Sequence, residues 1–138
     1  MNDVIINKVQ SIQRCIQRAK EEYEQAGDTF RDDYTRQDAS ILNLTRACEQ
    51  SIDLANHIIK THKLGIPTRS SDSFSLLIEN KIINKALGEK LIKMTGFRNT
   101  AIHQYQELNI DIVIAVITTG INDLLAFSDR CLEMIGTG

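Results

Sequence analysis

Apolar residues recur along most of this chain at the three- and four-residue spacing of one helix face. Ile5, Val9, Ile12, Ile16, Ala19 and Tyr23 make the first stripe, which predicts a helix over about residues 3–25, ended by Gly27-Asp28. Thr35 followed by Asp38 resembles a capping box with aspartate in place of glutamate, opening a second helix. That helix runs to about Leu64, where Gly65 and Pro67 close it. Its stripe of Ile41, Thr45, Cys48, Ile52, Ala55 and Ile59 is widened by Leu44, Ala47, Leu54 and Ile58 to about half the circumference, the pattern of a helix central to a core. After the polar loop Thr68 to Ser73, Asp72 or Ser73 caps a short helix carrying Phe74, Leu77 and Ile78. Asn84 caps a fourth helix that reaches about residue 105. Asn109 with Asp111 starts a last helix, whose buried face is Ile110, Val113, Ile114, Ile117, Ile121, Leu124 and Cys131. Ile112 to Ile117 alone would fit a strand, but the pattern continues well past strand length. No internal repeat, low-complexity tract or linker divides the chain. Residues 1–138 are therefore expected to form a single helical domain, an all-α, mostly antiparallel bundle of four to five helices.

Composition narrows this further. A chain of 138 residues with 42% apolar and 25% charged residues is long enough for a real core. One proline and seven glycines leave little turn material for an all-β fold. The net charge of −2 argues against a general nucleic-acid binder, so any RNA contact must use a local basic patch. Lys60 with Lys63, and Lys90 with Lys93, are exposed helix faces that supply such a patch if they flank a site. No uninterrupted apolar run approaches the roughly 18 residues of a membrane span, and Met1-Asn2-Asp3 opens directly on the helical pattern, without the basic and apolar regions expected of a signal peptide. Cys15, Cys48 and Cys131 are odd in number and widely spaced. They are expected to be reduced, buried thiols of a cytoplasmic protein without membrane contact.

The candidate chemistry lies in Arg98-Asn99-Thr100-Ala101-Ile102-His103-Gln104-Tyr105. Taking Leu87 as zero and advancing about 100° per residue, Leu91, Met94, Ala101, Ile102 and Tyr105 all fall within roughly 60°, with Arg98 in their middle. A guanidinium on such a stripe is either a structural ion-pair partner or is held for an anion, because burying it unpaired costs several kcal/mol. Arg98 and Tyr105 share this face. Asn99 and His103, four residues apart, share another, displaced by more than about 100°, where Asn99 can hydrogen-bond His103 and set its tautomer. Arg98 and His103 therefore meet one substrate only if Arg98 bends across or if a second copy of the helix completes the site. Without metal ligands, Arg, His and Tyr fit phosphoryl transfer within RNA best: a ribose 2′-hydroxyl attacks the adjacent phosphorus, histidine moves protons and arginine binds the developing charge.

Gly96-Phe97-Arg98-Asn99 followed by His103-Gln104-Tyr105 resembles the Arg-x4-His-x-Tyr motif of HepT-like toxins of the HEPN superfamily. The similarity extends to Ser51-Ile52-Asp53-Leu54-Ala55-Asn56-His57-Ile58-Ile59, to Leu64-Gly65-Ile66-Pro67 and to Asp72-Ser73-Phe74, so it covers most of the chain in order. The resemblance implies a HEPN-type bundle that dimerises, with both motif copies bordering one cleft, and metal-independent RNA cleavage by Arg98 and His103. It also implies a cognate MNT-type nucleotidyltransferase antitoxin that transfers AMP from ATP to Tyr105. ATP is then the partner's substrate, and this chain needs no cofactor. Asp53 has two readings: a solvated ion pair with His57 at i and i+4, or a residue lining the cleft, which the resemblance favours. His57 and His62 lack flanking ligands at metal-binding spacing, so no metal site is expected. A catalytically idle helical subunit that binds a nucleotidyltransferase is the alternative function.

Overall fold

The computed structural model describes residues 2–136, and they form the expected helical bundle. Helix α1 spans Asn2–Ala26, α2 Tyr34–His62, α3 Ser70–Glu79 and α4 Lys85–His103. A final rod comprises α5 at Ile110–Ala115, a π-helical turn at Val116–Gly120 and α6 at Ile121–Gly136. Cross-helix contacts establish the antiparallel register. Lys8 meets Asp53, Ser40 Oγ donates to the Ala19 carbonyl and Arg36 meets Glu22, so position rises on α1 as it falls on α2. The pairs Arg98 with Glu49 and Tyr105 with Asp38 run the same way between α2 and the end of α4.

The apolar stripes close on one core. Ile12, Leu44, Leu54, Ile58, Leu91 and Leu124 are essentially inaccessible, and Phe74 meets Phe127 edge-on with ring centroids 5.5 Å apart. As expected of the central helix, α2 buries residues on a broad arc from Ser40 to Ile59. Gly88 leaves room for α3 to pack closely on α4, since a Cβ there would lie 2.3 Å from the Ile78 side chain. Cys48 and Cys131 are buried and Cys15 half-buried, all as free thiols. Burial, above all, pushes both buried thiols up to about 12.

Several helix ends depart from the periodicity. The cap of α2 is Asp33, whose carboxylate accepts the Arg36 N–H at 3.1 Å, rather than Thr35. A 3-10 segment, Gly27–Asp32, carries the chain in and buries Phe30, which sets where α2 begins and leaves Asp38 free for another role. At its far end Lys63 takes the left-handed conformation (φ 54°), and Leu64 N–H bonds the Ile59 carbonyl at 2.9 Å. The last carbonyls are thus satisfied before Gly65 is reached. Helix α3 starts at Ser70, so Asp72 caps from within the first turn: its carboxylate accepts from Thr68 Oγ1 at 2.7 Å and Arg69 N–H at 3.0 Å. Asn84 and Asn109 cap α4 and α5 as predicted, accepting from Leu87 N–H and Asp111 N–H at 2.8 Å.

The final rod also corrects the hydropathy reading. Taken whole, Ile110–Ile135 is long and apolar enough to cross a membrane, with a mean hydropathy of 1.8 over its best window. Counting uninterrupted apolar residues missed this, because isolated polar residues break every run. In the fold, Val113, Ile117, Ile121, Leu124, Phe127 and Cys131 of this rod face the protein core.

Candidate active site at the end of the fourth helix

Helix α4 is sealed to the bundle by Leu91, Met94, Thr95, Phe97 and Ala101. Its last turn runs out past the core: Ile102 is 43% exposed, although the stripe placed it inward. The α-helix stops at His103, and Tyr105 opens a separate 3-10 turn, Tyr105–Glu107. The helical angle that aligned Tyr105 with Arg98 therefore does not apply.

Arg98 lies against α2. Its Nε is 3.6 Å from a Glu49 carboxylate oxygen, with the arginine side chain 25% exposed. That separation is ion pairing without a hydrogen bond, and Nε is buried with no hydrogen-bond partner. One terminal nitrogen donates to Asn99 Oδ1 at 2.9 Å. Asn99 thus orients the guanidinium, not the imidazole of His103 as expected. His103 is exposed at the last helical position, and among the described residues its imidazole has no partner. Five residues separate Arg98 from His103, about 140° on the helix; one points to α2 and the other to solvent. A single chain does not close a site around both.

Tyr105 reaches back to α2, where its hydroxyl donates to Asp38 Oδ1. Burial first, then the hydrogen bond and charge of Asp38, push the phenol up from 10.0 to about 12. Asp53 pairs with Lys8 of α1 at 3.4 Å rather than with His57. The His57 Nε2 is buried without a hydrogen-bond partner and lines a small cavity with Ile5, Ile58 and Met134. Among the described residues no group of three or more His, Cys, Asp or Glu could hold a metal ion. A larger apolar groove of about 340 Å³ runs between α4 and α5, lined by Lys93, Gly96, Phe97, Thr100, Leu108 and Ile112.

Two residues that now stand beside the motif, Glu49 and Asp38, were missed as site residues by sequence reasoning. They are eleven positions apart, about 20° from superposition on α2, so they form an acidic pair of positions on one face. That signal was present, but only the antiparallel register of α2 against α4 gives it a target.

Comparison with known proteins agrees with this arrangement. The family model described as "Ribonuclease HepT-like" matches residues 12–131. The "mRNA nuclease HepT" of Shewanella oneidensis is 50% identical over 129 residues, 94% of this chain and 96% of that protein. A solved structure of the tri-AMPylated Shewanella oneidensis HEPN toxin in complex with MNT antitoxin superposes with a TM-score of 0.89 at 49% identity, covering 94% of this chain and 97% of the other. A further toxin–antitoxin structure with AMP-PNP gives 0.89 at 48% identity, covering 95% and 99%. With the motif intact at the end of α4 and in the turn beyond it, and the bundle shared along nearly its whole length, this chain belongs to the HepT-like ribonuclease family.

Proposed function

We propose that this protein is an endoribonuclease toxin of a toxin–antitoxin pair, cutting RNA with Arg98 and His103 and needing no metal or cofactor of its own. The observation that carries this reading is the held but open state of Arg98. Asn99 and Glu49 fix the guanidinium at the protein surface, yet leave part of its donor set for a phosphate. In the reaction the ribose 2′-hydroxyl attacks the adjacent phosphorus and the bond to the 5′-oxygen breaks, leaving a cyclic phosphate and a free 5′-hydroxyl. His103 exchanges the protons, and Arg98 binds the charge that grows on the phosphate oxygens.

Because one chain keeps the two groups apart, the working form is a homodimer in which the motif copies border a common cleft. Asp53, one turn along α2 from Glu49, supports that region through its tie to α1. An MNT-type nucleotidyltransferase antitoxin silences the toxin by moving AMP from ATP onto the exposed Tyr105, adding bulk and negative charge beside the cleft. Both proteins act in the cytoplasm.

Purified protein is expected to cut RNA in the presence of a chelator. Arg98→Ala and His103→Ala should each lower the rate by roughly 100-fold or more while keeping the helical circular dichroism spectrum. Activity that vanishes with chelator and returns with a divalent cation would overturn the metal-free mechanism. Intact RNA, harmless expression and an unmodified Tyr105 together would replace it with the idle-subunit reading.

A further inference from the structure

We infer that Asp38 is a catalytic residue of the modification reaction, the general base that takes the proton from Tyr105 as the first AMP is attached. This rests on the reading of Tyr105 as the acceptor and adds what the acceptor needs to react. A phenol is a poor nucleophile until its proton has somewhere to go. In this chain that place is already built: Asp38 Oδ1 accepts the Tyr105 hydroxyl hydrogen directly.

The two groups come from different elements, the first turns of α2 and the 3-10 turn beyond α4, so their meeting is a product of the fold and not of local sequence. Asp33 satisfies the start of α2, and Asp38 is therefore not consumed as a helix cap. Both residues are exposed, so a nucleotide held by a partner protein can approach the phenol while the carboxylate stays in contact. Burial first, and then the neighbouring carboxylate, keep the phenol protonated at rest, its ionisation pushed up to about 12. Attack therefore needs proton transfer in step with bond formation, the situation in which a positioned base contributes most.

The step balances as follows. Tyr105 Oη forms a bond to the α-phosphorus of a nucleoside triphosphate bound by the nucleotidyltransferase. The bond from that phosphorus to the bridging oxygen of the β-phosphate breaks, pyrophosphate leaves, and the phenol proton passes to Asp38. Once esterified the phenol oxygen cannot accept a second AMP, so Asp38 serves the first transfer alone.

The test is single-turnover AMP transfer from magnesium ATP by the nucleotidyltransferase, followed by intact mass. Asp38→Asn should slow appearance of the first AMP unit by roughly 100-fold. Installing difluorotyrosine, whose phenol ionises near neutral pH, at position 105 should restore most of the lost rate in the Asp38→Asn chain. A wild-type rate in Asp38→Asn overturns the proposal. So does a slow rate that difluorotyrosine leaves unchanged, since Asp38 would then only hold the turn in place. Labelling that persists in Tyr105→Phe is a separate failure: it moves the acceptor and removes the reading on which the proposal stands.

Discussion

At Tyr105, burial and one hydrogen bond act together on a single side chain. Its phenol is partly buried and donates to a carboxylate, and both conditions disfavour the phenolate. The folded chain holds the proton more tightly than the unfolded one, so this contribution to stability is present below pH 10 and is lost as the pH climbs through about 12. Phenolate absorbance of the wild type minus that of Tyr105→Phe should show a midpoint near 12. Asp38→Asn should bring it only part of the way back, because burial is the leading cause and remains. A wild-type midpoint at 10 would mean that neither the burial of the phenol nor its hydrogen bond persists in solution. Arg98 is held against α2 more loosely. Glu49 offsets part of its desolvation, but at 3.6 Å it leaves Nε without a hydrogen bond, so a phosphate does not have to break a tight pair to bind.

Helix ends decide where these side chains sit. Were α2 to begin at a Thr35 cap, Asp38 would be spent as the reciprocal member of that box; the Asp33 cap avoids this. Asp33→Ala removes the acceptor for Arg36 N–H and should lower stability by about 1 kcal/mol in denaturant unfolding. Amide exchange should quicken first in the opening turn of α2. Uniform exchange across the helix would show that the cap is energetically silent. The stop of α4 at His103 matters as much. Continued as α-helix, residue 105 would lie over Arg98; released into a 3-10 turn, it reaches Asp38 instead.

At the scale of the whole molecule, the single chain positions Arg98 toward α2 and His103 toward solvent, and leaves Ile102 and Tyr105 of the same segment exposed. A two-fold partner would supply the missing half of the site. Mixing Arg98→Ala and His103→Ala subunits tests this. If each site takes its arginine from one copy and its histidine from the other, random re-pairing restores about a quarter of wild-type RNA cleavage, since half the dimers are mixed and each holds one intact site. Mixtures as inactive as either parent would place both groups in one chain's own site.

The periodicity of apolar residues was enough to specify the helices and most of their buried faces, because a 3.6-residue repeat sustained over several turns admits no other element; Ile102, which that repeat placed inward, is exposed. Asn84 and Asn109 were legible as caps for the same reason: a cap acts within three residues of itself. The residue types of the motif were legible too. The pairing of those residues was not, since Arg98 with Glu49, Tyr105 with Asp38 and Asp53 with Lys8 are separated by 45 or more positions. Local rules assigned Asp53 to His57, Asn99 to His103 and Asp38 to a helix cap, each the nearest acceptable partner along one strip of sequence. Packing two helices antiparallel offers closer partners across the interface, and which of them meet depends on a register that no stretch of chain contains alone.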